Sequence, residues 1–129
     1  MMAPGILLVT DGGEPHLIFS ITAGGDSEIA FYEGVTTSSD GTALAEYNQK
    51  RDSANIATVV ATHTPTVTDL GTRLLSEFQP GGTTGQSQGG GQFSPREWIL
   101  AGSTKYLVRG INRAGNAQPM GIVCQWYEE

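Results

Sequence analysis

From Met120 to Tyr127 the side chains alternate. Met120, Ile122, Cys124 and Trp126 fall on one face, and Gly121, Val123, Gln125 and Tyr127 on the other. A period of two is the period of a β-strand, and a strand with Trp and Met on one side requires a second layer to cover that side. No window of the chain holds a sustained 3.6-residue apolar period, so the fold must be built from strands packed face to face. The preceding runs agree. Arg96 to Leu100 and Lys105 to Asn112 are rich in β-branched and aromatic residues, and Gly/Ser/Asn/Pro clusters separate them as tight turns would.

Taken in order, Gly5 to Thr10 predicts a first strand closed by Asp11-Gly12-Gly13. His16 to Ala23 predicts a second, with Leu17, Phe19 and Ile21 inward. Gly24-Gly25-Asp26 then turns the chain into Glu28 to Glu33, and the two runs read as a hairpin. Residues 34–41 read as a loop, and Thr42 to Tyr47 as a strand or one helical turn. Residues 48–55 read as a polar surface connection. Ile56 to His63, nearly all β-branched or Ala, suggests a strand buried on both faces or at a subunit contact. Thr64-Pro65-Thr66 interrupts it, and Leu70 to Phe78 follows as a further strand. The expectation is all-β: one domain over residues 1–129, an antiparallel β-sandwich or jelly roll of eight to nine short strands. No internal repeat is legible.

Residues 80–92 stand apart. Six of these thirteen are glycine and none is charged or aliphatic, so the segment is expected to be a mobile loop. Loops of that length inside a domain are often functional. With the apolar opening Ile6, Leu7, Leu8 and Val9, read as an N-terminal arm over residues 1–10, the loop glycines Gly81, Gly82, Gly89, Gly90 and Gly91 are the expected partner contacts.

Charge limits the partners. Seven Lys and Arg against thirteen Asp and Glu give a net charge of −6, and the basic residues are scattered, which disfavours nucleic acid and anionic membranes. The opening apolar run has no basic flank and meets Asp11 at once, which argues against a signal peptide. No run is long enough for a membrane helix. Chemistry is equally sparse. The lone Cys124 is in phase with Ile122 and Trp126 and reads as a small buried hydrophobe. His16 and His63 read as strand residues rather than bases. Asp26, Asp40 and Asp69 border turns without the spacing of a calcium loop. Among Glu28, Glu33, Glu46, Glu77 and Glu97 no pair is singled out for glycoside cleavage. The glycine-rich segment lacks the Gly-Lys-Ser/Thr ending of a phosphate loop. No catalytic, cofactor-binding or metal-binding residue is assigned, and the chain is read as a non-enzyme without a cofactor.

The stretches Glu28-Ile-Ala-Phe-Tyr-Glu-Gly34, Pro80-Gly-Gly-Thr83, Glu97-Trp-Ile-Leu-Ala-Gly-Ser-Thr-Lys-Tyr-Leu-Val-Arg109 and Gln125-Trp-Tyr-Glu128 resemble those of small tailed-bacteriophage capsid decoration, or cement, proteins with a jelly-roll fold. The resemblance implies a virion structural protein on the outer capsid surface, made in the host bacterial cytoplasm. Its implied partner is the major capsid protein, and as a decoration subunit it is expected to be a homo-oligomer, dimer or trimer. It implies no cofactor and marks no contact residues. Two rivals follow from the residues: a carbohydrate-binding jelly-roll module, as in a head fibre or adhesin tip, with Trp98, Tyr106 and Tyr127 as an exposed aromatic line, and a small β-sandwich hydrolase with converging acidic or His–acid groups.

Overall fold

The computed structural model describes residues 5–79, 97–115, 118 and 120–128. Within them lie eleven strands and no helix: β1 (Gly5–Val9), β2 (His16–Ala23), β3 (Ser27–Glu33), β4 (Thr36–Ser39), β5 (Thr42–Ala43), β6 (Val60–His63), β7 (Thr66–Asp69), β8 (Thr72–Gln79), β9 (Trp98–Ile99), β10 (Lys105–Asn112) and β11 (Met120–Tyr127). They form an antiparallel sandwich. A six-stranded sheet runs β5-β6-β1-β10-β3-β8, a three-stranded sheet runs β11-β2-β9, and β4 pairs with β7 alone.

The six-stranded sheet is covered on both faces. Toward the three-stranded sheet, Leu8, Ile29, Phe31, Tyr106 and Val108 meet Leu17, Phe19 and Ile21 of β2 and the inward residues of β11. On its other face Leu7, Ala30, Tyr32 and Leu107 pack beneath Val35, Val67 and Leu70 of the β4–β7 layer. Successive side chains of a strand point to opposite faces. The adjacent pairs Leu7-Leu8, Phe31-Tyr32 and Leu107-Val108 are therefore apolar twice over because both faces are dry. Each of the six is under 5% exposed.

The β4–β7 layer is the middle of a folded ribbon. Strands β3 and β8, β4 and β7, and β5 and β6 pair as nested antiparallel partners. The ribbon leaves the large sheet at β3/β8, crosses its outer face, and rejoins it at β5/β6. Its two limbs are related by a local two-fold: residues 31–44 and 61–74 carry the same succession of strand, bend and burial. Gly34 (φ 75°) and Thr64 (φ 52°) kink the two limbs at corresponding points, and Gly41 (φ 91°) and Gly71 (φ 70°) turn them back. At Gly41 an added Cβ would strike the His63 carbonyl oxygen, and at Gly71 that of Glu33. Only glycine tolerates both the left-handed backbone and the close approach. This symmetry escapes the sequence, where only scattered positions such as Thr36/Thr66, Gly41/Gly71 and Thr42/Thr72 agree.

Several expectations are corrected. Residues 24–26 do not close a hairpin: β2 pairs with β11 and β9, while β3 pairs with β10 and β8. The bend carries the chain between layers, so Phe19 and Phe31 meet across the core with ring centroids 5.0 Å apart. Alternation looks the same whether two strands lie edge to edge or face to face. Residues 34–41 are not all loop, because Thr36–Ser39 finds its partner in Thr66–Asp69. The run 56–63 forms a strand only from Val60, and Ile56 is 88% exposed. Residues 6–9 are no arm. They pair with β10 on one side and β6 on the other, and Leu7 and Leu8 expose no surface to any partner. The segment 80–92 lies outside the described residues.

Gly41→Ala should cost about 2 kcal/mol, from positive φ and steric conflict together. Gly12→Ala, where nothing lies within 4 Å, should change stability by less than about 0.5 kcal/mol. Urea denaturation of both variants checks the contrast.

Candidate interaction surface

The three-stranded sheet divides its residues cleanly. Leu17, Phe19 and Ile21 of β2 are at most 3% exposed, whereas His16, Ile18 and Ser20 point outward between them. On β11, Val123 and Tyr127 are 55% and 51% exposed, and on β9 Ile99 is 63% exposed. The register sets His16 beside both Tyr127 and Ile99, Ile18 beside Gln125, and Ser20 beside Val123. The outer face of the sheet thus carries aromatic, aliphatic and polar groups, with the Glu97 carboxylate at one rim. In a chain with thirteen acidic residues, an uncharged face with exposed aliphatics is the pattern of a contact surface.

One end of this face is pinned. The His16 and Tyr127 rings stack with centroids 4.5 Å apart. His16 Nδ1 lies 2.9 Å from the Tyr127 hydroxyl and 3.1 Å from Glu97 Oε1. Hydrogen bonding from Tyr127, then from His16, holds the Glu97 carboxyl below its ordinary range. Sequence reasoning missed this trio, because Glu97, His16 and Tyr127 sit on three different strands or their flanks. The trio sits at the rim of the face and holds the Tyr127 ring in position.

The remaining candidate groups are engaged in the framework. Buried Tyr106 donates to Glu33 Oε2 at 2.7 Å and accepts from the Ala101 amide at 2.9 Å; burial and the Glu33 carboxylate push its pKa up to about 12. Glu28 receives Arg113 at 2.8 Å and Ser76 at 2.8 Å, which lower its pKa. Lys105 and Thr37 bind Asp40 and lower its pKa likewise. Asp69 accepts from the Gly71 amide, a local turn bond, and Glu46 from the Ala61 amide. Burial pushes the Cys124 thiol up to about 12, leaving little thiolate at neutral pH. His63 lies 3.3 Å from the neighbouring Thr64 hydroxyl. Among the described residues, no three His, Cys, Asp or Glu side chains gather as metal ligands would. The aromatic line expected from Trp98, Tyr106 and Tyr127 does not exist: Tyr106 is 1% exposed and Trp98 packs on the core. Gly81, Gly82, Gly89, Gly90 and Gly91 lie outside the described residues.

Grooves among the described residues flank the sandwich. One of about 600 Å³ runs along Gly5, Leu107 and Arg109 beneath residues 65–70. It marks a break in the local two-fold. On the symmetric side Lys105 reaches Thr37 and Asp40, and here Gly5 has nothing to extend toward Val67 and Leu70. Another, about 590 Å³, joins Tyr47, Asn48, Gln49 and Ile56 to Trp126 and Tyr127 at the end of β11. Glu128 closes its floor, accepting from the Thr58 amide at 3.0 Å and the Val59 amide at 2.9 Å. Burial raises the Glu128 carboxyl, but those amide bonds together outweigh it and leave the pKa below the ordinary 4.5.

A carboxyl held low in the folded state stabilises it fully above its unfolded pKa, and that contribution disappears as pH falls through the folded value. Glu128→Gln should therefore cost about 1 kcal/mol at pH 7, and its melting temperature should converge on that of the unsubstituted protein below about pH 4. Thermal melts from pH 7 to 3 test this; a gap independent of pH would contradict it.

Comparison with protein-family models, with curated proteins and with solved structures finds no match to this chain.

Proposed function

We propose that this chain is a virion structural protein that decorates a tailed-phage head, lying on the outer surface and stabilising the shell by binding the major capsid protein. The uncharged outer face of the three-stranded sheet carries the proposal: it is the surface with which such a subunit would lie against the capsid. The resemblance of Glu28–Gly34, Glu97–Arg109 and Gln125–Glu128 to decoration proteins supports it. The folded ribbon, with its nested strand pairs, supports the finer jelly-roll reading. An acidic remainder suits a subunit present in many copies, since like charge keeps copies apart wherever contact is not intended. The function needs no cofactor and no reactive side chain.

The test is co-sedimentation of the pure protein with undecorated heads. The protein should pellet with them, and Ile18→Lys, which puts a charge in the middle of the outer face, should lower occupancy by at least roughly tenfold. Deleting residues 81–91 asks separately whether the glycine-rich segment reaches a neighbour. Absence of pelleting, or full occupancy by the Ile18→Lys variant, would remove the proposal.

A second reading, a saccharide-binding module, draws on the groove in which Tyr47, Trp126 and Tyr127 accompany Asn48 and Gln49. Aromatic faces beside amides suit sugar rings. Glycan titration should then quench tryptophan fluorescence, and Tyr47→Ala, which alters a side chain 75% exposed, should abolish the quenching without loss of fold.

A further inference from the structure

Sheets end in edges, and a free edge is a row of unpaired amides and carbonyls that invites another strand. Three of the four edges of the two main sheets are blunted. Strands β5 and β9 are two residues long. Strand β8 is long but carries Arg73 and Glu77, and its register shifts midway along β3. The fourth edge, β11, has none of these protections. It runs eight residues, Met-Gly-Ile-Val-Cys-Gln-Trp-Tyr, without a charge or a proline, and among the described residues no strand pairs with it on the side away from β2.

The core is also thin there. On the inner face of β2, Leu17, Phe19 and Ile21 are at most 3% exposed, yet Ile122, Cys124 and Trp126, on the same face of β11, are only partly buried. The sandwich ends as if one more strand were needed to complete it.

We propose that a second copy of this chain supplies that strand, β11 pairing antiparallel with β11 of its partner about a two-fold axis. Charge selects this occupant and this direction. Self-pairing of an uncharged strand sets no like charges opposite one another, as it would along β8. The antiparallel arrangement sends Glu128 of each copy to opposite ends, whereas a parallel pair would bring the two together. A two-fold perpendicular to the sheet keeps both cores on one side, so Ile122, Cys124 and Trp126 of the two copies meet and shield each other. The product is one six-stranded sheet, β9-β2-β11-β11-β2-β9, whose uncharged outer face is doubled. The pairing stands whether or not that face binds a capsid.

Light scattering behind size exclusion, on the whole chain without heads, reads the result directly. The unsubstituted protein should run at twice the 13.6 kDa of the chain. Val123→Lys and Gln125→Lys each place lysines on both copies beside the two-fold and should give monomers with unchanged far-ultraviolet circular dichroism; two sites guard against one variant failing to fold. Ile18→Lys alters the same face on the middle strand, away from the edge, and should remain a dimer. A monomeric unsubstituted protein overturns the proposal. So does a dimer that survives both edge variants, or one that Ile18→Lys also dissolves, since that pattern indicates stacking of faces or another interface.

Discussion

Burial of the six-stranded sheet on both faces is the constraint from which the other features follow. Strands β1, β10 and β3 lie at its centre, and each supplies side chains to two separate cores. Neither cover would suffice alone. The three-stranded sheet seals one face with Phe19 and Ile21, and the ribbon crossing at β4–β7 seals the other with Val67 and Leu70. Removing the ribbon would leave Leu7, Tyr32 and Leu107 open to water, at a cost of roughly 2 kcal/mol for each large side chain. This is why a pair of short, Thr-rich, mostly exposed strands is held so firmly in shape: two glycines at positive φ sit against carbonyl oxygens at corresponding turns, because the ribbon must leave the sheet and return to it within a few residues.

The architecture has a second consequence, for how the chain finds its fold. Strands adjacent in sequence almost never pair: β1 joins β10 and β6, β2 joins β11, and β3 joins β8. Each such pairing closes a long loop before it is repaid by contacts, which slows folding relative to a meander of local hairpins. The polar ties between distant segments belong to the same scheme. Tyr106 links β10 to Glu33 on β3, Glu28 gathers Arg113 and Ser76, and Glu128 caps the amides that lead into β6. Glu28, Glu33 and Glu128 thus act as fasteners of a topology with few local contacts.

That division explains what could be read in advance. Strand identity and facing were legible wherever one face is wet and one dry: the alternation of His16–Ala23 and Met120–Tyr127 matches the burial residue by residue, and the all-β sandwich follows from it. Partnership was not legible, because the period of two is blind to which strand lies alongside and which lies across. Hence the bend at residues 24–26 looked like a hairpin. Continuous apolar runs were ambiguous in the same way. Ile6–Val9, read both as a strand and as part of an arm, is the centre of a sheet, whereas Ile56–His63, read as doubly buried or at a subunit contact, is half exposed in the single chain. Both runs are apolar without alternation, and only their long-range partners distinguish them. The outer face was visible as a residue set, but not as a surface, until β2, β9 and β11 were set side by side. The trio of His16, Glu97 and Tyr127 carried no signal in spacing at all.

Charge, finally, gives the molecule its directionality. With a net charge of −6, two copies meeting at random repel each other, and screening at physiological salt confines that repulsion to about 8 Å. Contact is therefore permitted only where a patch lacks charge over a span comparable with that length. The outer face of the three-stranded sheet and the edge of β11 that no described strand pairs with meet this condition and adjoin each other. A face bounded by an edge of the same neutral character can serve two kinds of contact at once: backbone pairing along the edge, which demands a strand, and side-chain packing on the face, which demands only a complementary shape. The first is specific by hydrogen-bond geometry and the second by fit. Under the proposed pairing, assembly of copies would enlarge the surface offered to a different partner, so that oligomerisation and docking would reinforce one another.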